Sequence, residues 1–141
     1  MKLIHYACLS VFAALVGCAS PGQGPYHCVS LEKMPVLKNS HSPAITVEEF
    51  RYGDVRLPEF QDEKYAGGLT RCDNLAVPES VYIRYLLEGK RIEKHLDLSA
   101  LISMEWKNRI IEFDIKGESV EVWRIAPIAG QPPTRQLLMT N

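Results

Sequence analysis

Apolar and polar residues alternate along much of the second half of the chain. Every second residue is apolar in 81–87, and after a turn signal at 88–90 the alternation largely resumes in 92–98. A period of two is the side-chain spacing on one face of a β-strand, so these segments predict a hairpin. The same pattern predicts a second hairpin over 111–125, with Gly117-Glu118 at its turn.

A further strand and one short helix complete the predicted elements. Residues 45–52 alternate, but the phase slips at Glu48-Glu49, where a β-bulge would restore it. Residues 99–107 are predicted to form a short helix with Ser99 as its N-cap. The chain is therefore predicted to be mainly β, as a small antiparallel β-sandwich or curled sheet of about five strands with one short helix.

The first 18 residues have the features of a targeting segment. Lys2 is followed by an apolar stretch that is too short to span a bilayer and that ends in Leu15-Val16-Gly17-Cys18. This ending resembles the lipobox of bacterial lipoproteins, in which small residues precede an invariant cysteine. The resemblance implies cleavage after Gly17 and acylation of Cys18. The alternative is an ordinary secretory signal with a chance cysteine.

The lipobox resemblance also implies a location. Ala19 follows Cys18, whereas Asp in that position retains lipoproteins of the enteric type at the inner membrane. We therefore expect acylated Cys18 to hold the mature protein in the lipid of the outer membrane, with the protein facing the periplasm.

The four cysteines, taken together with this resemblance, predict one disulfide bond. Cys8 would leave with the signal peptide and Cys18 would carry lipid, so that Cys28 and Cys72 remain. The periplasm is oxidising, and two remaining thiols there usually pair. The alternative is that both cysteines are free and buried. A zinc site would need more ligands than these two cysteines provide.

Composition divides the chain into four segments. Residues 1–17 are the predicted signal peptide. Residues 18–43, which are rich in Gly, Pro and Ser, are predicted to form the lipidated cysteine and a flexible tether. The β-rich periplasmic domain is predicted over 44–126, and 127–141 are predicted to be a proline-containing C-terminal tail.

The long segment from Leu57 to Ser80 is the predicted partner-binding region, because structureless loops of this length are usually functional or disordered. Aromatic residues with charged surroundings are common in protein interfaces. The candidate partner-binding residues are Glu59, Phe60, Asp62, Glu63 and Tyr65. The exposed side of the following hairpin, which carries Tyr82, would extend this surface. The alternative is that the aromatic side chains join the core and the carboxylates are only solvated.

Little in the sequence indicates catalytic chemistry. His95, Asp97 and Ser99 follow one strand face about 7 Å apart, which is too far for contact between a nucleophile and a base. Glu93, His95 and Asp97 would converge poorly on a metal ion for the same reason. The formal net charge of -1 gives no electrostatic footprint for nucleic acid. We therefore predict a protein that is not an enzyme, with no catalytic residue, metal, cofactor or nucleic-acid partner.

The order of segments carries a family resemblance. Residues 77–79 (Val-Pro-Glu) lead into a strand, a charged hairpin leads to 95–98 (His-Leu-Asp-Leu), and the strand at 120–123 (Val-Glu-Val-Trp) follows. Together with the lipobox, this pattern over 44–126 resembles small periplasmic immunity lipoproteins, especially those paired with type VI secretion lipase toxins. The resemblance implies a non-enzymatic inhibitor that binds a toxin delivered to the periplasm and occludes it.

Two alternatives remain open. Tyr26-His27-Cys28 resembles the Tyr-x-Cys opening of membrane-bound lysozyme inhibitors, but Cys72 lies in mid-chain, whereas that family places the partner cysteine near the C-terminus. A structural or assembly lipoprotein of an envelope complex would have the same anchor and a similar small β domain.

Overall fold

The computed structural model describes residues 24–33, 45–61 and 69–141. Within these residues the chain forms nine β-strands and two short 3-10 turns. The strands are β1 (Tyr26–Lys33), β2 (Ile45–Tyr52), β3 (Val55–Arg56), β4 (Leu69–Asn74), β5 (Ser80–Leu87), β6 (Lys90–Asp97), β7 (Ile110–Lys116), β8 (Ser119–Ile128) and β9 (Gln131–Thr140). The 3-10 turns cover Pro58–Gln61 and Ser99–Leu101.

The strands form two sheets. The five-stranded sheet has the order β4-β1-β7-β8-β9, and the four-stranded sheet has the order β3-β2-β5-β6. The pairing of β1 with β7 is parallel, and the other pairings are antiparallel. One face of each sheet is covered by the other, which confirms the predicted mainly β sandwich.

Aromatic side chains fill the centre of the space between the sheets. The Phe113 ring of β7 lies 5.4 Å from the ring of Phe50 and 6.4 Å from the ring of Tyr52, both on β2. Phe60, from the first 3-10 turn, contacts Phe50 edge to face at 5.0 Å. All four side chains are buried. Full burial of each phenylalanine stabilises the fold by roughly 1.5–3 kcal/mol, so this cluster holds the two sheets together.

The local features that alternation predicted are present. The β5–β6 hairpin turns at Glu88 and Gly89, which both have positive φ (50° and 82°), as a two-residue turn that matches strand twist requires. The β7–β8 hairpin turns at Gly117. The register between β2 and β5 shifts between Val47 and Glu49, which confirms the predicted bulge.

The prediction that 18–43 form only a tether is wrong. Part of that segment is β1, which lies inside the five-stranded sheet between β4 and β7. Val29 and Leu31 of β1 are buried in the core. The flanking Gly, Pro and Ser residues suggested a linker, but pairing on both sides outweighs that local composition. Residues 18–23 and 34–43 lie outside the described residues.

The prediction of a C-terminal tail is also wrong. Residues 131–140 form β9, which pairs with β8 along the edge of the five-stranded sheet. Pro132 and Pro133 lie where the register between the two strands shifts, between Ala126 and Ile128. Proline is accepted at edges and irregularities of a sheet because the missing N–H is not needed there.

The segment 99–107 is not the predicted helix. Helical hydrogen bonding covers only Ser99–Leu101, and the chain then continues through turns to β7. The Trp106 side chain is buried, and its Nε1–H donates to the Leu101 carbonyl over 2.7 Å. The burial of this indole fixes an irregular path that the periodicity of the sequence does not reveal.

The predicted disulfide bond is confirmed. Cys28 of β1 and Cys72 of β4 are directly opposite residues in the antiparallel pair, and their sulfur atoms are bonded. Cys72 therefore restrains a strand within the segment 57–80, which was predicted as a loop. No helix among the described residues is long and apolar enough to cross a membrane. The predicted signal peptide and Cys18 lie outside the described residues.

Candidate functional site

The outer face of the five-stranded sheet carries charged side chains gathered around one tryptophan. Because side chains alternate along a strand, the inward position of Phe113 places its neighbours Glu112 and Asp114 on the outer face. The register pairs these two residues with Trp123 and Glu121 of β8. We call the following residues the Trp123 cluster: Glu112, Asp114, Lys116, Glu121, Trp123 and Arg135.

The Trp123 side chain is held in place by three charged side chains. The Arg135 guanidinium lies 4.4 Å from the centre of the indole, and the Lys116 ammonium lies 5.8 Å from it. Its Nε1–H donates to a Glu121 carboxylate oxygen over 3.0 Å. The same oxygen accepts from Lys116 over 2.6 Å. A partly buried aromatic side chain that is already fixed loses little conformational entropy on binding, so Trp123 is suited to anchor a partner.

The edge strand β9 completes the cluster. Arg135 forms an ion pair with Glu112 of β7, across β8. Glu112 is buried, and the pairing compensates its charge. Leu137, also on β9, is directly opposite Trp123 and is 46% exposed. The exposed Leu137 side chain therefore lies beside the cluster, next to the Trp123 ring.

Asp114 is the incompletely satisfied member of the cluster. Its side chain is buried, and neither carboxylate oxygen has a hydrogen-bond partner among the described residues. The Lys116 ammonium lies 3.6 Å from one of these oxygens. Burial raises the pKa of Asp114, the nearby Glu112 and Glu121 raise it further, and Lys116 and Arg135 oppose the rise. A buried carboxylate without hydrogen bonds destabilises the fold, and because both oxygens are covered they are not open to donors from outside.

The residues that the sequence analysis proposed for partner binding are not brought together at a surface. Glu59 is partly exposed and forms an ion pair with Arg71 of β4, at 3.0 Å. Phe60 is a correction: its side chain is 1% exposed and packs in the core, so it cannot be a surface anchor. Burial against Phe50 outweighs exposure because the 3-10 turn directs Phe60 inward. Asp62, Glu63 and Tyr65 lie outside the described residues.

His95, Asp97 and Ser99 have separate local partners. The His95 ring packs on Tyr82 at a centroid distance of 4.8 Å. Asp97 accepts the Ser99 backbone N–H over 2.9 Å, and hydrogen bonds from Ser99 lower the pKa of Asp97. The three residues line an open depression of about 410 Å³ at the end of the β5–β6 hairpin. Among the described residues, no group of three His, Cys, Asp or Glu side chains is arranged to hold a metal ion.

The outer face of the four-stranded sheet is a network of ion pairs that largely satisfies itself. Glu48 pairs with Arg84 at 3.1 Å and with Arg91 at 2.8 Å. Arg51 pairs with Glu49 at 3.2 Å and lies 4.4 Å from the centre of the Tyr82 ring. This face includes Tyr82 and is the exposed side of the hairpin that the sequence analysis named as an extension of the binding surface. Its carboxylates, unlike Asp114, already have partners.

Sequence reasoning missed the Trp123 cluster because it did not predict β9. The alternation of Glu112, Asp114 and Lys116 with apolar residues was visible, but it indicated only a strand of a hairpin. Arg135 and Leu137 could be placed there only once residues after Gly130 are taken as a returning strand. The signal for that strand is Gly130 followed by a run ending in Leu137-Leu138-Met139, and the two prolines obscured it.

Comparisons with known proteins find no match for this chain among protein-family models, curated proteins or solved structures.

Proposed function

We propose that this chain is a membrane-anchored periplasmic binding protein that neutralises a type VI secretion toxin of the lipase type by occluding it. The binding role is supported by the Trp123 cluster. The anchor and the toxin class are supported by the lipobox at Leu15-Val16-Gly17-Cys18 and by the sequence resemblance to immunity lipoproteins.

The observation that carries the binding role is a fixed, partly exposed Trp123 beside the exposed Leu137. Lys116 and Arg135 flank this ring, and their side chains are 36% and 38% exposed. A partner that presents a carboxylate to these two cations would form charge-assisted hydrogen bonds with them beside the ring. Trp123 and Leu137 would pack against apolar parts of the same partner. Tryptophan and charged pairs at the centre of an interface dominate many binding energies.

The test of the binding role is an affinity measurement against secreted proteins encoded beside this gene. The Trp123→Ala variant is expected to weaken binding by at least about thirtyfold, the effect of losing a hot spot of about 2 kcal/mol. Tyr82→Ala, on the opposite sheet face, is the matched aromatic control and is expected to retain affinity. The reverse pattern in folded variants would move the interface to the four-stranded sheet.

The toxin class is tested by enzyme inhibition. Purified protein is expected to abolish the activity of a neighbouring secreted lipase at stoichiometric concentration, and the Trp123→Ala variant is expected to require correspondingly more protein. A neighbouring lipase that binds the protein yet remains active would contradict occlusion. A complex with envelope-assembly components and no affinity for any secreted enzyme would support a scaffold instead.

The anchor is tested separately. Cys18→Ser is expected to release the protein from the membrane fraction, because no sulfur remains to carry a lipid. Unchanged membrane association of that variant would refute acylation at Cys18.

A further inference from the structure

The first described residues, from Gly24 to Tyr26, pack closely against the rest of the domain. A Cβ atom on Gly24 would lie 1.9 Å from the Leu75 carbonyl oxygen, so the backbone passes here in close contact with the segment after β4. Two residues on, the Tyr26 carbonyl accepts the Asn108 backbone N–H over 2.9 Å. We call this end of the sandwich, where Gly24 and Tyr26 lie, the proximal end.

The strand registers bring two other segments to the proximal end. Cys28, near the start of β1, is level with Ile110 at the start of β7, and Ile110 is level with Ile125 of β8. β8 continues beyond that level and returns as β9, so the β8–β9 turn extends past the proximal end. We call residues 126–134 the β8–β9 arm.

The second segment is the connection 98–109, which crosses between the sheets. On the four-stranded side, Leu98 donates its backbone N–H to the Glu79 carbonyl over 2.7 Å. This level of the sheet contains Tyr52, whose hydroxyl contacts His27 of β1. The connection then reaches Asn108 beside Tyr26. Ile102, in the middle of the connection, is therefore at the proximal end.

The exposed apolar side chains concentrate at this end. Tyr26 is 49% exposed, Ile102 is 46% exposed and Ile128 is 41% exposed. Leu137, at 46%, is the other large hydrophobic side chain exposed among the described residues, and it lies beside Trp123. All residues of the arm from 127 onward are exposed, and the arm contains no charged residue. Exposed apolar side chains that gather at one end of a domain are typical of a surface that contacts a membrane or a partner.

We infer that the proximal end rests on a lipid surface, with Ile128 and Ile102 in the boundary between headgroups and acyl chains and Tyr26 at the level of the headgroups. The inference rests on the proposed acyl anchor, and it does not depend on toxin neutralisation. From Cys18 to Gly24 there are six peptide steps, which span at most about 21 Å. An acylated Cys18 would thus keep the proximal end, and not the opposite end, beside the membrane.

This orientation leaves the Trp123 cluster accessible. The strands run away from the proximal end, so that the outer face of the five-stranded sheet stands roughly upright on the membrane. A partner could then approach Trp123 from the side without displacing lipid. The two surfaces, one for lipid and one for protein, would act independently.

The experiment uses the full acylated protein reconstituted in vesicles of phosphatidylethanolamine and phosphatidylglycerol. Single cysteines replace Ile102 and Ile128 in turn and carry an environment-sensitive dye, since Cys28 and Cys72 are already bonded. Both labels are expected to shift to shorter emission wavelengths on vesicles and to lose intensity when the lipids carry brominated chains. Labels at Leu137, matched to Ile102 in exposure, and at Glu118, in the turn at the opposite end, are expected to do neither.

Charge substitutions provide the second measurement. Ile128→Asp is expected to abolish the wavelength shift of the label at 102, whereas Leu137→Asp is expected to leave it intact. If the labels at 102 and 128 behave like the label at 118 while the protein still floats with the vesicles, the inference is wrong and the anchor stands. Loss of flotation would refute the anchor and the lipid contact together. Labels that are shielded only after a protein partner is added would assign the proximal end to that partner.

Discussion

His27 makes a buried polar contact between the two sheets. Its side chain is buried, and its Nδ1–H donates to the Pro25 carbonyl over 2.9 Å. The Nε2 atom lies 3.0 Å from the Tyr52 hydroxyl. In the neutral ring, Nε2 accepts from this hydroxyl, so both ring nitrogens are satisfied without charge. Burial lowers the pKa of His27, and the Pro25 hydrogen bond only partly opposes this shift.

The lowered pKa of His27 predicts a loss of stability in mild acid. The unfolded chain binds the proton near pH 6.5 and the folded chain binds it only at lower pH, so stability is full above 6.5 and falls as the pH drops below that value. His27→Gln is expected to remove this loss of unfolding free energy, which is about 1 kcal/mol between pH 7.5 and 5.5. Urea unfolding of both proteins at the two pH values measures it. Parallel pH profiles would show that His27 is not responsible.

Asp114 provides a second prediction, in which a mutation increases the stability of the fold. Because burial raises the pKa of Asp114, the charged form costs free energy at neutral pH. Asp114→Asn is expected to raise the unfolding free energy at pH 7 by about 1 kcal/mol, the lower range for burial of an unsatisfied group. The gain is expected to disappear at low pH, where the wild-type carboxyl is protonated in both states.

The same variant separates a functional carboxylate from a structural one. Asp114→Asn is expected to stabilise the fold and to leave partner affinity unchanged, because the carboxylate is covered and does not contact a partner. Chemical denaturation and affinity measured on one preparation give both quantities. A loss of affinity in the folded variant would show that Asp114 becomes accessible to the partner on binding.

At the scale of elements, the sequence predicted the structural features that depend on residues only a few positions apart. The β5–β6 hairpin and the bulge beside Glu48 follow from alternation and turn residues within a few positions. β1 and β9 depend instead on distant partners. β1 pairs in parallel with a strand about 80 residues away in sequence, and such a contact leaves no local signal. The Trp123 cluster was unpredictable for the same reason, since Arg135 reaches it from β9.

The integration of β9 into the fold predicts different effects for neighbouring residues of that strand. Met139 packs against the core, whereas Leu137 is largely exposed. Met139→Ala is expected to cost about 2 kcal/mol, and Leu137→Ala is expected to change stability by less than about 0.5 kcal/mol. Thermal or urea unfolding distinguishes them. Equal, negligible effects would mean that the C-terminal residues are a dispensable tail after all.

At the scale of the whole molecule, the disulfide bond links the start of the described chain to the edge of the five-stranded sheet. It joins residues 44 apart in sequence, and all of β2 and β3 lies between them. Closing a loop of this size restricts the unfolded chain, and the native strand pairing already places the two residues opposite each other.

Removal of the disulfide bond is therefore expected to destabilise the protein without changing its fold. The double variant Cys28→Ala, Cys72→Ala is expected to lose about 2–4 kcal/mol of unfolding free energy. Urea unfolding measures the loss, and circular dichroism should still show a β-rich spectrum. Alkylation of protein purified without reductant should modify neither cysteine. Two freely alkylated thiols would contradict the bond.

Pro132 and Pro133 limit how the β8–β9 arm can be recognised. Successive N–H groups along a strand point to opposite sides, so two consecutive prolines remove a donor from the free side of β9 as well as one from the side facing β8. The arm therefore cannot serve as a template onto which another extended chain adds by backbone pairing. Two copies of the chain therefore cannot join through the arm by strand addition, and any recognition of the arm has to depend on side chains.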